Sequence, residues 1–163
     1  MTPTPAAPEI RVRALRTDDL DRLVAIDRAH AGRSRRRFLA KRLEMHAECP
    51  AESLQFGAEV GGRLAGFVLA RVQRGEFGRT DSSAVIDVLG VDPASRGQGC
   101  GRALMEAITT EARARGLPRL HSQADWTMGD LLRFFAGAGF ELSSRLVIER
   151  PVALPFDENP DGI

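Results

Sequence analysis

Gly97, Gly99 and Gly101 alternate with Gln98 and Cys100 at the point where an apolar run ends and a helical pattern begins. The stretch reads Val85-Ile-Asp-Val-Leu-Gly-Val-Asp-Pro-Ala-Ser-Arg-Gly-Gln-Gly-Cys-Gly-Arg-Ala-Leu104. Glycines so closely spaced permit positive φ and let a ligand approach the backbone. The free amides of a helix's first turn, reinforced by the helix dipole, bind anions, phosphate above all. A Walker-type loop would need Gly-Lys-Ser/Thr, and Lys41 is the only lysine in the chain. A dinucleotide fingerprint, Gly-x-Gly-x-x-Gly, read from Gly97 or Gly99 puts its third glycine on Arg102 or Leu104. Both readings fail. A pyrophosphate held without a catalytic metal remains, and coenzyme A fits that description.

The elements that must position this loop follow from periodicity and turn signals. Ile10 to Leu15 alternates as a strand, and Thr17 is expected to cap a helix whose apolar stripe is Leu20, Leu23 and Val24. Ser34 is expected to cap a second helix through Phe38, Leu39 and Leu43, which Pro50 stops. Leu54–Val60 and Leu64–Val72 flank Gly61-Gly62, a hairpin signal. Ala84–Val91 is an apolar run of strand length, and a helix from about Gly101 to Arg115 ends at Gly116 and Pro118. Leu120–Ala124 reads as a strand and Met128–Ala138 as a helix, with short final strands over Phe140–Leu142 and Leu146–Arg150. The order predicts a mixed α/β fold with an antiparallel first half, not a doubly wound sheet.

Composition bounds the rest. The chain has 163 residues, 43% of them apolar and 28% charged, enough for one soluble domain with a substantial core. Its 23 basic and 22 acidic residues sum to +1, so no global field draws it to nucleic acid or an anionic membrane. Cys49 and Cys100 make no disulfide framework, and with His30, His46 and His121 they show no metal-ligand spacing, so no metal is expected. No apolar run is long enough to span a bilayer, and Met1 to Pro8 lacks the features of a signal peptide, which points to the cytoplasm. Residues 1–8 read as a disordered tail, 9–152 as a single domain and 153–163 as a second tail.

Arg96-x-x-Gly99-x-Gly101 resembles the Arg/Gln-x-x-Gly-x-Gly/Ala signature of the GNAT N-acetyltransferases. The preceding Leu-Gly-Val-Asp-Pro is similar to the end of that family's fourth strand, and Phe134-Phe-Ala-Gly-Ala-Gly-Phe140 to its aromatic…Gly-Phe helix end. The resemblance spans roughly Ile10 to Arg150 and is tightest from Val85 to Phe140. It implies a twisted, mostly antiparallel sheet, splayed between strands 4 and 5 and flanked by about four helices. It implies acetyl-CoA as co-substrate, a primary amine (a small molecule or a peptide N-terminus) as acceptor, and direct attack in a ternary complex. Amides from Gly97 through Gln98, Gly99, Cys100 and Gly101 to Arg102 would hold the pyrophosphate. Backbone groups of Leu89, Gly90 and Val91 would bond the pantetheine arm in the splay, and the Val91 amide, or one near it, would polarise the thioester carbonyl.

The chain departs from that pattern at the proton-transfer positions. Where many members carry a tyrosine that protonates the leaving thiolate stands Phe135, and the chain has no tyrosine. Met128 replaces a common asparagine, and Gln123 falls where some N-terminal acetyltransferases carry a glutamate. A thiol pKa of about 8.5 leaves coenzyme A a tolerable leaving group, with water, Cys100 or Ser122 as sources of a proton. A lysine-type amine is neutral in roughly one molecule in 2,500 at pH 7, an α-amine in about one in ten, so an α-amine needs little help from a base. Candidate bases are Asp87, Glu76 and Asp125. Burial in its apolar run would favour protonated Asp87, unless its side chain faces solvent. Glu76 also fits an ordinary loop charge, Asp125 a helix cap, and Cys100 a variable loop position. Trp126 could wall the acceptor site or pack in the core. Arg33 to Arg37 could select an acidic acceptor, bind RNA, or form a solvated helix face. A catalytically silent acyl-CoA-binding or sensing module is the alternative that the missing tyrosine motivates, and a free strand edge after Phe140 leaves a homodimer open.

Overall fold

A computed structural model describes residues 9–149 and 152, so residues 1–8, 150–151 and 153–163 lie outside it. The elements are β1 (Ile10–Ala14), α1 (Leu20–Ala31), α2 (Arg36–Glu48), β2 (Ser53–Val60), β3 (Arg63–Arg74), β4 (Ser82–Val91), α3 (Cys100–Ala114), β5 (Leu120–Ser122) and α4 (Gly129–Gly137). One sheet runs in the order β1-β2-β3-β4-β5, antiparallel up to β4 and parallel between β4 and β5. The expected hairpin forms between β2 and β3, with φ of 58° at Gly61 and 75° at Gly62, the double positive φ of a tight primed turn.

Helices cover both faces of the sheet. On one, Leu104, Met105 and Ile108 of α3 and Phe135 of α4 pack against Leu54, Ala58, Val68, Ala84 and Ile86. On the other, Leu23 and Ile26 of α1 and Leu39 and Leu43 of α2 pack against Phe67, Leu69 and Val88. Double coverage explains why β3 and β4 read as continuous apolar runs. The side chains of β4 change parity partway along the strand. Ala84 and Ile86 face α3, yet Val88 faces α1 and α2. The register against β3 slips there, with Leu69 opposite Val88 and Ala70 opposite Ile86, so Asp87 is the extra residue of a β-bulge.

Three expectations fail locally. Thr17 does not cap α1: a 3-10 turn over Thr17–Asp19 leads into the helix, and Asp19 binds the Arg16 amide (2.8 Å) and, bidentately, Arg13 (2.8 Å to each oxygen). Ser34 does not cap α2: Arg35 holds that position, and its guanidinium pairs with buried Asp27. The final strands do not form: Phe140–Leu142 and 146–149 are irregular, and Arg150 lies outside the described residues. The Phe140 ring packs against Phe135 (centroids 4.9 Å apart), while Leu142, Leu146 and Ile148 are exposed. Strand propensity needs a partner strand to act on.

Candidate active site

The β4–β5 ladder is short. Ala84, Val85 and Ile86 pair with Leu120, His121 and Ser122, and Ser122 Oγ donates to the Ile86 carbonyl at 3.2 Å. Beyond Ile86 no strand pairs with this edge of β4 among the described residues, so the sheet forks from the bulge onward. Asp92 N–H donates to the Ala65 carbonyl of β3 at 2.7 Å. Alternation along an antiparallel ladder then turns the backbone groups of Leu89 and Val91 into the fork, with Gly90 facing β3. His30, at the end of α1, confirms the direction: its Nε2 lies 2.7 Å from the Val91 carbonyl. A carbonyl only accepts, so Nε2 carries the proton, and Nδ1 accepts from Arg96 Nη2 at 3.0 Å.

The glycine loop stands at the open end of the fork. Gly97 and Gly99 take φ of 75° and 96°, which L side chains rarely adopt. Gly101 packs against α4: a Cβ there would come within 2.9 Å of the Phe134 ring. Gly90 is tightly packed as well, since a Cβ would meet Phe67 at 3.0 Å and Ile26 at 3.2 Å. The first helical carbonyl bond of α3 runs from Ala103 N–H to Gly99 (3.0 Å), which leaves the amides of Cys100, Gly101 and Arg102 as the unpaired first turn. Gln98 reaches the Ala94 carbonyl (3.4 Å) and Arg102 pairs with Glu106 on the surface (3.0 Å), so neither side chain blocks the amides. The pyrophosphate and arm of coenzyme A fit these two features, an anion-binding helix start and a free strand edge leading away from it.

At the root of the fork sits Asp87. Arg71 Nε donates to its Oδ1 at 3.2 Å, and Arg42 Nη2 lies 3.0 Å from its Oδ2. It borders a cavity of about 210 Å³ under α2, with Ser53, Gln55, Leu69 and Arg71 among the walls. A larger hollow of about 670 Å³ lies at the opposite end of the sheet, beside Ser82 and Pro118, away from the loop.

The other sequence candidates are not brought here. Glu76 sits in a 3-10 turn beyond Arg74 and Ser82, five residues of strand or roughly 17 Å from Asp87. Phe135 is buried in the α3-side core between Phe134 and Phe140, not in the fork. Cys100 is buried too, and burial pushes its thiol pKa up. Asp125 is bound by Thr127, first through its hydroxyl (2.6 Å) and then through its amide (2.8 Å), which lowers its pKa and marks it as a turn residue. Trp126 is 85% exposed and packs in no core, and Gln123 is exposed just past β5. Within the arginine run, Arg35 is committed to Asp27 and Arg36 to Asp21. Sequence reasoning missed Arg42, Arg71, Gln55 and His30. Only Gln55 carried a signal, a polar residue between Leu54 and Phe56.

His46 Nδ1 and Ser53 Oγ share a hydrogen bond of 2.7 Å at the edge of the cavity. Burial, and then Arg115, hold the His46 pKa below its ordinary value; burial does the same for His121. The folded state therefore resists protons that the unfolded chain accepts near pH 6.5. The expected result is a melting temperature steady above about pH 6.5 that declines as pH falls below it, before carboxylates titrate. His46→Gln should flatten part of that decline, and an equally steep decline in the variant would refute the assignment.

The comparisons agree with this geometry. The chain matches the Acetyltransferase (GNAT) family over residues 20–140, and it belongs to that family. Among curated relatives, it is 35% identical over 85 residues to a mycothiol acetyltransferase of Thermobispora bispora, covering 52% of this chain and 29% of that protein. It is 30% identical over 141 residues to a mycothiol acetyltransferase of Propionibacterium freudenreichii subsp. shermanii, covering 83% and 44%. The chain thus spans less than half the length of these relatives. Among solved structures, an aminoglycoside N-acetyltransferase in complex with CoA superposes with a TM-score of 0.77 at 16% identity, covering 93% of this chain and all of that one. No described helix is long and apolar enough to cross a membrane, and the described residues hold no cluster of His, Cys, Asp and Glu suited to a metal.

Proposed function

We propose that the chain transfers an acetyl group from acetyl-CoA to a primary amine of a small molecule. One observation carries this: the free edge of β4 runs from the open first turn of α3 to a carboxylate, Asp87, beside a cavity. The amine nitrogen attacks the thioester carbonyl and forms the amide; the carbon–sulfur bond breaks with its electron pair on sulfur, coenzyme A leaves as a thiolate that takes a proton from water, and the amine's own proton must leave. The amides from Gly97 to Arg102 hold the pyrophosphate, and the ladder groups of Leu89 and Val91 hold the arm. Of the two amides that face the fork, Leu89's is nearer Asp87, so it takes the carbonyl-polarising role expected of Val91. The Val91 carbonyl keeps one lone pair beside the His30 bond for the arm. Asp87 is the nearest acceptor for the amine's proton. The curated relatives named for mycothiol favour a small-molecule acceptor over a peptide.

Phe135 carries no exchangeable proton, Cys100 is buried and the Ser122 hydroxyl already donates to the Ile86 carbonyl, which favours a second reading, a module that binds acyl-CoA without transfer. Thiol release from acetyl-CoA, measured over a panel of small amines, amino acids, polyamines, amino sugars and peptides, separates the two. Release that depends on one class of amine is the expected result. Silence across the panel, with a rise in melting temperature on adding coenzyme A, would establish the binding module instead.

A further inference from the structure

Two buried oxygens that accept no hydrogen bond border the cavity under α2. Gln55 is 3% exposed, and its Nε2 donates to the Arg42 carbonyl at 2.8 Å. That bond fixes the amide's orientation, because a flip would set Oε1 against another acceptor. Oε1 is then left without a partner among the described residues. Asp87 Oδ2 also lacks a hydrogen-bond donor, although Arg42 Nη2 pairs with it as an ion at 3.0 Å outside hydrogen-bond geometry. Both residues wall the same cavity. A buried acceptor without a donor is costly, and neither oxygen can donate, so the group that satisfies the pair must bring donors.

The two acceptors spring from strands two apart. Gln55 lies opposite Leu69 on β3, and Leu69 lies opposite Val88 beside Asp87. Their backbones are therefore about 10 Å apart, a span that two inward-leaning side chains and one nitrogen do not bridge well. An amine with a second donor a few bonds away spans it better. The remaining walls mix apolar Met45, Leu69 and Ala70 with polar Arg42, Ser53 and Arg71, so the two oxygens are what distinguishes one amine from another.

We propose that this cavity is the head-group site of the acceptor and selects a small amine that carries a hydroxyl or second amino group. The nitrogen meets Asp87 Oδ2, and the second donor meets Gln55 Oε1. The assignment rests on the acetyl-transfer reading for what happens to the amine, but not for its binding.

The test compares 3-amino-1-propanol with butylamine, which have the same number of heavy atoms and the same charge at neutral pH. The first reading is the melting temperature of the protein without acetyl-CoA: millimolar aminopropanol should raise it and butylamine should not, and Gln55→Leu should erase the difference. Gln55→Met, which keeps the length, replaces Gln55→Leu if that variant does not fold. The second reading is thiol release, where kcat/KM should favour aminopropanol by roughly tenfold or more in the native protein and by little in the variant. Equal treatment of the two amines in both readings overturns the site assignment and leaves acetyl transfer standing. Discrimination in melting without release from any amine supports the site and overturns acetyl transfer.

Discussion

Gly99→Glu is expected to abolish coenzyme A binding, with the dissociation constant rising by about a hundredfold or more. The position stands at the N-terminus of α3, where the amides of Cys100, Gly101 and Arg102 point outward. A carboxylate placed there competes for those amides and repels a pyrophosphate, and like-charge contacts of this kind cost several kcal/mol. The substitution also disturbs the backbone, because Gly99 has φ of 96°. Holding an L residue in that region costs about 1–2 kcal/mol, or roughly 2–8 °C of melting temperature in a chain of this size. Gly99→Ala separates the effects, since it carries the strain without the charge. It should show a similar fall in melting temperature with a much smaller loss of binding. Equal losses in the two variants would mean that loop conformation, and not the anion site, governs the affinity.

The second large effect is expected at Asp87. Asp87→Asn keeps shape and size, and Arg71 Nε can still donate to the amide oxygen, so the fold should survive. The variant loses the ability to take a proton at the root of the fork. The expected outcome is a fall in kcat of roughly a hundredfold with little change in the KM for acetyl-CoA, the signature of a lost general base. An unchanged kcat would transfer the proton to solvent and reduce Asp87 to a neighbour of Arg42 and Arg71.

What was legible in the sequence was whatever a single segment encodes. The glycine loop, the Gly61-Gly62 hairpin and the apolar faces of α1 to α4 need no knowledge of distant residues, and all are present. The bulge at Asp87 could not be read, because it is a relation between β4 and β3 and exists only in their register. The walls of the cavity were hidden for the same reason: Arg42, Gln55 and Arg71 lie on three separate elements, α2, β2 and β3, and meet only when these pack together. Phe135 was placed by a family's spacing, yet the contacts of α4 with Gly101 and Phe140 turn it into the core. The stretch Leu146-Val-Ile has strong strand propensity, but propensity could not supply a strand for it to pair with.

The fork between β4 and β5 has a thermodynamic consequence. Only three residues of β5 pair with β4, so the ladder groups of Leu89 and Val91 obtain strand-like partners only from whatever lies alongside them. A ligand that lies there completes the sheet in the folded state and has no counterpart site in the unfolded chain. By mass action the stability of the domain then rises with ligand concentration, by about 2.7 kcal/mol at a hundred times the dissociation constant. The resistance of this protein to unfolding is in that sense a property shared between its own sequence and the supply of its ligand.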